Sequence, residues 1–469
     1  MELNRRQKSM LHRFYAYGFL KNLKFFEPFI LLFFTQAKGL SFTEFGVLIG
    51  IREVSVAILE IPTGIVADVT GRRRRVETPP PAPRAAPLAL RPAMRAMVLC
   101  FVSYILSFLV FTFFGSFWLF ALGMVLFGVG ETFRSGTHKS MIMEHLDIEG
   151  LQDQKVHYYG MTRSASRAGS MLVALLAAGV YYFLGLKWVF LATVVPYLPA
   201  LLLMMTYPRE LDGEVTRKNV GRGIMRHTYD SFRSILRTPQ LGKVLINQAS
   251  FEAFFKVGKD YLQPVLVMLG IGLPLLALAG EGTELASGGK LALIFGVVYF
   301  VIHLNEFISS RKSGAFVDRV KDLARALDRL YWAFAVAFVL TGTCLVSAGL
   351  LGEPWRTIAL VIAIVLVFTF WTFNNLRKPV VVGYLSDRIE KQQRATVLSV
   401  ASQLRAVVAF VIAPALGFVA DHGPRMSAEQ IFSPFVFVGG GAALVALGIL
   451  LRLGRKTAED APALEDATP

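Results

Sequence analysis

The chain has 469 residues, of which 54% are hydrophobic and only 17% are charged. A soluble chain of this length usually carries more charge, whereas its repeated apolar blocks of about 20 residues match a bilayer core of roughly 30 Å. The alternating segments of about ten residues that build a membrane β-barrel are absent. The net charge of +16 is spread over alternate loops, which argues against a nucleic-acid-binding domain. The sequence therefore predicts an all-α integral membrane protein.

Twelve apolar segments follow one another along the chain, each long enough to cross a bilayer. They are predicted at 14–36, 42–69, 96–114, 117–138, 160–184, 187–206, 242–270, 290–312, 330–350, 356–378, 395–420 and 431–453. Basic residues concentrate in the loops on the side of both termini, which include Arg72 to Arg75, Lys139, Arg311, Lys312, Arg377 and Lys378. The positive-inside rule places that side in the cytoplasm. We expect a multi-pass protein of the plasma or inner membrane with both termini cytoplasmic.

The division of the chain is predicted from its longest charged linker, at 207–241, which separates six spans from six. We expect an N-terminal six-helix bundle over 1–206, a C-terminal bundle over 242–453 and an acidic cytoplasmic tail over 454–469. The linker could end as a basic helix on the anionic inner leaflet, or it could be a plain solvated connector. A proline-rich segment at 76–95 is predicted to be an extended, non-helical cytoplasmic loop.

Two faint internal repeats support this division. The stretch GIVADVTGRRRR (64–75) is echoed by GAFVDRVKD (314–322), at the end of span eight. HKSMIMEHLDIEGLQDQK (138–155) is echoed by LRKPVVVGYLSDRIEKQQ (376–393), after span ten. Both echoes fall at corresponding places in the two halves, as expected for parallel halves related by an axis along the membrane normal.

A compact motif closes span two, where Gly64, Asp68, Gly71, Arg72 and Arg73 form the pattern Gly-x-x-x-Asp-x-x-Gly-Arg-Arg. The first glycine lets another helix approach closely, and the aspartate can accept hydrogen bonds from a neighbouring helix N-terminus. The second glycine permits a tight reversal of the chain. The arginines could reach lipid phosphates or acidic side chains, or they could serve only to fix the topology.

With this motif, the chain resembles the Major Facilitator Superfamily, and the segments EIPTG (60–64) and RATVLS (394–399) strengthen the likeness. The resemblance implies twelve transmembrane helices in two pseudo-symmetric six-helix bundles. It also implies that the motif latches the two halves together in the outward-facing state. The second half keeps Gly314 and Asp318 but lacks the Gly-Arg-Arg portion, so its latch would be weaker or built differently.

Ionisable side chains within the spans are costly in a bilayer and usually face a cavity or one another. In span seven, Glu252, Lys256 and Asp260 recur at helical spacing on one stripe, and Glu252 can pair with Lys256. Glu27 precedes Pro28, which can loosen the helix and free backbone carbonyls.

The resemblance implies that spans one, four, seven and ten line a central cavity. The candidate substrate or proton residues are Lys24, Glu27, Glu60, Glu131, Arg134, Glu252, Lys256, Asp260, Glu306, Asn374 and Arg405. Of these, we single out Glu27, Glu131, Arg134, Glu252 and Lys256 for substrate or proton handling. For each one taken alone, a structural ion pair between packed helices is the alternative.

The sequence shows no phosphate-binding loop, no H-E-x-x-H pair and no Gly-x-Ser-x-Gly elbow. We therefore expect no cofactor, no metal and no enzymatic activity. The predicted function is secondary transport by alternating access, driven by protons or by the solute gradient alone, with export of a small amphipathic organic solute. The partners are then the solute, protons and membrane lipids, without nucleic acid, and the chain is expected to be a monomer. Uptake of an organic anion held by Arg134 or Lys256 and a transporter-like sensor are the alternatives.

Overall fold

The computed structural model describes residues 5–71, 92–151, 154–211, 239–272, 284–320, 322–386 and 394–451. Within these ranges the regular structure is entirely helical, which confirms the predicted fold class. In the first half, the spans are Arg5–Leu20 continued by Glu27–Phe29, Ile30–Leu32 and Phe33–Ala37, then Phe42–Gly71, Pro92–Phe113, Phe117–Ile148, Lys155–Leu184 and Val189–Met205. In the second half, they are Pro239–Gly258 continued by Lys259–Tyr261 and Leu262–Gly272, then Glu284–Arg319, Leu323–Leu350, Trp355–Ser386, Arg394–His422 and Phe435–Leu450.

These helices, numbered here as spans one to twelve, differ in how well they suit a bilayer. Among the described residues, eight are long and apolar enough to cross a membrane by length and composition, namely spans three to six and eight to eleven. Span twelve is apolar but shorter, with 16 residues. Spans one and seven are each broken into shorter pieces, and span two carries Arg52, Glu53 and Glu60 within its length. Spans one, two and seven therefore fit the apolar pattern least well, because of their breaks and their charges.

Several helices continue past the predicted apolar segments on the side of the termini. Span four reaches Ile148, span eight reaches Arg319 and span ten reaches Ser386. A helix can project into water because its backbone groups stay bonded within it. The assignment of Arg377 to a loop is therefore wrong, since Arg377 lies inside span ten and is 1% exposed.

The proline-rich segment 76–95 lies outside the described residues up to position 91. Its last four residues are helical, because span three begins at Pro92. The prediction of an extended segment is wrong at this end, and the reason is that proline suits the first turn of a helix, where its missing N–H has no intrahelical partner to lose.

Aromatic side chains fill the interior of each half. In the first half, Phe26 stacks on Phe190 with ring centroids 4.7 Å apart. In the second half, Phe338 stacks on Phe370 at 5.2 Å. All four rings are fully or almost fully buried. These phenylalanines hold neighbouring spans together inside each half.

The two halves meet along spans two and eleven and along spans five and eight, and small residues permit the contact. A methyl group on Gly46 or on Gly417 would collide with backbone of the other half, at Ala413 and Phe42 respectively. A methyl group on Gly296 of span eight would lie 2.9 Å from the Cβ of Ala178 in span five. These positions lie toward the face opposite the termini, which we call the distal face. The halves are therefore packed nearly backbone to backbone there.

Candidate functional site

A buried carboxylate in span two joins the two halves near the middle of the molecule. The Glu53 side chain is 2% exposed and accepts hydrogen bonds from Lys256 Nζ at 2.7 Å and from Arg52 Nη2 at 3.0 Å. The Nε atom of Arg405 lies 3.9 Å from Glu53 Oε2. Lys256 belongs to span seven and Arg405 to span eleven, so one carboxylate of the first half holds two cations of the second. We call these four residues the Glu53 cluster.

The predicted pairing of Glu252 with Lys256 is wrong. Lys256 reaches across to Glu53, whereas Glu252 accepts hydrogen bonds from Gln248 Nε2 at 2.8 Å and from Arg405 Nη1 at 3.3 Å. The spacing of the two residues permits a pair within the helix, but a buried carboxylate on the facing span binds the lysine instead. Span seven therefore connects to the Glu53 cluster both through Lys256 and, by way of Arg405, through Glu252.

A second group of charges lies within the first half, between spans one, three and four. Arg134 Nη2 is 2.6 Å from Glu131 Oε2, and Lys24 Nζ is 3.8 Å from Glu131 Oε1. Arg134 Nε also donates to the Tyr104 hydroxyl at 3.2 Å. The Lys24, Glu131 and Arg134 side chains are 19–24% exposed. The structure thus brings three of the predicted site residues together on a partly accessible surface.

Spans five and eight carry another ion pair between the halves. Arg167 of span five donates to the Glu306 carboxylate of span eight, and His303 Nδ1 lies 3.1 Å from Glu306 Oε2. Glu306 was among the predicted site residues, but neither Arg167 nor Glu53 was. At both contacts between the halves, a carboxylate therefore pairs with a basic side chain from the opposite half.

The broken spans one and seven cross next to these charges, and Gln263 links them. Its Oε1 accepts from the backbone N–H groups of Leu31 at 2.8 Å and Leu32 at 3.2 Å, while its Nε2 donates to the carbonyl of Glu27 at 3.3 Å. These backbone groups are available because the first helix of span one ends at Leu20 and resumes only as a 3₁₀ turn containing Pro28. The predicted loosening around Pro28 is confirmed.

The remaining predicted residues lie apart from the Glu53 cluster or outside the description. Asp260 pairs with its neighbour Lys259 at 2.6 Å, and Asn374 is buried in span ten. Glu60, Gly64, Asp68, Gly71 and Asp318 lie in described helices, but their side chains are outside the description, and Arg72 and Arg73 lie outside the described residues altogether. The roles assigned to these residues stay predictions.

The distal face is closed by a cap that joins the two halves. Asp421, at the end of span eleven, accepts hydrogen bonds from the backbone N–H groups of Phe42 at 3.0 Å and Thr43 at 2.8 Å. It also accepts from the Thr43 hydroxyl at 2.6 Å. A carboxylate stabilises a helix N-terminus through these free N–H groups and the helix dipole. Here the N-terminus of span two is capped by the opposite half.

Among the residues that sequence reasoning missed, Gln263 had a usable signal. A polar residue followed by proline occurs at the break of span one, as Glu27-Pro28, and at the break of span seven, as Gln263-Pro264. Arg377 had no such signal, because it stands beside Lys378 at the end of an apolar segment and there resembles a topology-setting residue.

Comparison with known proteins identifies this architecture. Residues 83–414 match the sequence profile of the Major Facilitator Superfamily, which is more than half of the chain. The chain belongs to the Major Facilitator Superfamily. A search for similar sequences among curated proteins found no significant match.

Solved structures of other transporters share the fold of this Major Facilitator Superfamily protein. A substituted form of the nucleoside transporter NupG matches with a TM-score of 0.71 and 11% identity, over 94% of this chain and 100% of that one. A D-xylose-proton symporter matches with a TM-score of 0.60 and 15% identity, over 98% of this chain and 99% of that one. A POT family transporter in complex with 5-aminolevulinic acid matches with a TM-score of 0.63 and 13% identity, over 94% and 95%.

Family membership makes the chain a multi-pass membrane transporter of a small solute. The charged side chains that join the two halves are therefore the candidate site, since transporters of this plan bind their substrates between the halves.

Proposed function

We propose that this protein is a proton-coupled secondary transporter that exports a small organic solute by alternating access. The observation that carries the proposal is the Glu53 cluster, in which Lys256 and Arg405 of the second half hold a carboxylate of the first. Rocking of the two halves would change these distances. A carboxylate whose charged partners differ between two conformations can couple proton binding to the movement.

The closed distal face supports alternating access. With both termini in the cytoplasm, as we propose from the positive-inside rule, this conformation faces inward and Asp421 secures its outer closure. The proposed latch at Asp68 would secure the opposite conformation from the cytoplasmic end of the same span two. Spans two and eleven would then hold the halves together at one end or the other in turn.

The moving bodies in this proposal are the six-helix bundles over 1–206 and 242–453, joined by the linker 207–241 and followed by the tail 454–469. Each chain contains both six-helix bundles, so we propose that a monomer completes the cycle. Export from the cell rests on composition alone, because aromatic-rich spans suit an amphipathic solute. The membrane proposed is the plasma or inner membrane.

The test is proton movement that depends on a solute. Purified protein would be placed in liposomes that contain a pH-sensitive dye, and a panel including nucleosides, D-xylose, 5-aminolevulinic acid and small dicarboxylates would be added. At least one solute is expected to move protons and to accumulate against its gradient when a pH gradient is imposed. The orientation of the pH gradient that drives accumulation distinguishes export from uptake.

The variant Glu53→Gln sharpens the test. It should keep solute exchange down a gradient but lose accumulation driven by the pH gradient, because glutamine cannot take up a proton. Glu429→Gln, at an exposed glutamate on the distal surface, is the matched control and should behave as the wild type. Wild-type accumulation by Glu53→Gln contradicts the role of Glu53. Lack of flux for every solute, together with a signalling defect on deletion, favours the sensor.

A further inference from the structure

We propose that the transported solute carries an anionic oxygen group, a carboxylate or a phosphate, and that Lys21 of span one and Arg134 of span four bind it. This inference rests on the proposed transport function and names the substrate class of the same central site. The observation behind it is a local excess of basic side chains on the first half that the carboxylates nearby do not neutralise.

The position of Lys21 suits a substrate site. Lys21 directly follows the first helix of span one and lies about 10 Å along the helix axis from the predicted start of the span at residue 14, within the apolar segment. Arg134, Lys24 and Arg163 are close enough to interact with Lys21 electrostatically, and Glu131 is the acidic group that does so. Four basic side chains therefore lie around Glu131, and the other carboxylate nearby, Glu27, interacts with Lys24.

The Glu131 carboxylate is already engaged. Glu131 is 2.6 Å from Arg134 and 3.8 Å from Lys24, so it is bound by two cations before Lys21 is considered. Lys21 Nζ lies over the ring of Tyr17, 5.7 Å from the ring centroid. An ammonium group at this depth is costly unless water or an anion compensates its charge.

The lysines of span seven differ in this respect. Lys256 donates to Glu53 at 2.7 Å, and Lys259 donates to Asp260 at 2.6 Å. Each has a carboxylate of its own among the described residues, whereas Lys21 does not. Of these three lysines, the one without a carboxylate partner among the described residues therefore belongs to the first half, beside spans one and four.

A buried hydroxyl points to the same place. Tyr17 is fully buried, and its hydroxyl finds no hydrogen-bond partner among the described residues. Buried hydroxyl groups without a partner are rare because they lose their hydrogen bonds to water. Lys21 Nζ lies 5.7 Å from the centroid of the Tyr17 ring, so an anionic oxygen bound beside Lys21 would offer this hydroxyl an acceptor.

The donor types fit carboxylate or phosphate. A guanidinium presents a planar fork of N–H donors that binds two oxygens at once, and an ammonium adds a compact point charge with three donors. The Arg134 side chain is 20% exposed, so it remains accessible despite its pairing with Glu131. The headgroup of an anionic lipid offers the same chemistry, and the experiment separates these two sources.

The test measures anion binding by the purified full-length protein in nanodiscs of phosphatidylcholine at low salt. The probes are inorganic phosphate and succinate, with glycerol and succinamide as their neutral counterparts. Calorimetry should show binding of at least one anion and of neither neutral compound. Lys21→Gln should weaken that binding at least tenfold with an unchanged melting temperature, and Lys21→Arg should restore most of it.

The matched control is Lys8→Gln, on the exposed surface of the same helix, which should bind as the wild type does. Absence of anion binding by the wild type overturns the inference, as does equal binding by Lys21→Gln. Nanodiscs with increasing phosphatidylglycerol form the second arm. Loss of anion binding as this lipid increases assigns the cluster to a headgroup and also overturns the inference.

Binding and transport can fail separately. Proton-coupled flux of a neutral solute without anion binding overturns this inference and leaves the proposed function standing. Anion binding that depends on Lys21, without flux of any solute, overturns the proposed function and leaves an anion site in the first half.

Discussion

The surroundings of two arginines differ, although both lie inside membrane-spanning helices: Arg134 in span four and Arg377 in span ten. Arg377 is 1% exposed and donates to Gln248 Oε1 at 2.8 Å, to the Leu327 carbonyl at 2.7 Å and to Asn247 Oδ1. Its guanidinium also lies 4.7 Å from the ring centroid of Phe251. Arg377 is thus enclosed by neutral acceptors and an aromatic ring within the second half.

Arg134, by contrast, remains partly exposed and shares a carboxylate with a lysine. Its side chain is 20% exposed, and Glu131 is also within 3.8 Å of Lys24. A guanidinium that is buried and donates to three fixed neighbours has a structural role, whereas one with accessible donors and further positive charge nearby can bind a solute. Burial and partners, and not residue type or depth alone, therefore distinguish the enclosed Arg377 from Arg134, for which we propose a role in solute binding.

The largest effect on stability is expected from Arg377→Met. This change would leave the buried side-chain oxygens of Gln248 and Asn247 without their Arg377 donor, and each such loss costs roughly 1–3 kcal/mol. We expect the free energy of unfolding to fall by about 3 kcal/mol, measured by denaturant unfolding in detergent. Arg425→Met, at an exposed distal arginine, is the control and should change it little. If Arg377→Met were as stable as the wild type, Arg377 would not have the structural role that sets it apart from Arg134.

A smaller effect on stability, but a large one on function, is expected from Arg134→Gln. Glu131 would still have Lys24 and water as partners, so the free energy of unfolding should change by less than about 1 kcal/mol. Transport of the solute identified in liposomes should fall at least tenfold. Unfolding of this variant, or undiminished transport, would mean that Arg134 plays the same structural role as Arg377.

Sequence reasoning reached the fold because apolar length and turn residues determine where each span lies. The bounds of span two, predicted at 42–69 and observed as Phe42–Gly71, show how well that works for an uninterrupted helix. Sequence reasoning also predicted parts of the site correctly, since Lys24, Glu131 and Arg134 lie together and the helix is interrupted around Pro28.

Sequence reasoning could not predict which side chains pair between spans, because the pairing depends on how each helix is rotated and on which helix faces it. Glu252 and Lys256 have suitable spacing on one helix, yet their partners come from spans eleven and two. Arg377 was misassigned for a related reason, since hydropathy marks the edge of the apolar core and not the end of a helix. Only the three-dimensional structure shows which helices face each other and where each helix ends.

Alternating access requires the distal face to alternate between a closed and an open state. Spin labels at Ser116→Cys and Ala428→Cys, on exposed distal loops of the two halves, would report this motion once the native Cys100 and Cys344 are replaced by alanine. Pulsed electron paramagnetic resonance should show a short and a long distance. Asp421→Ala, which removes the cap on span two, should enrich the long one. A single narrow distance, unchanged by Asp421→Ala, would contradict alternating access in this protein.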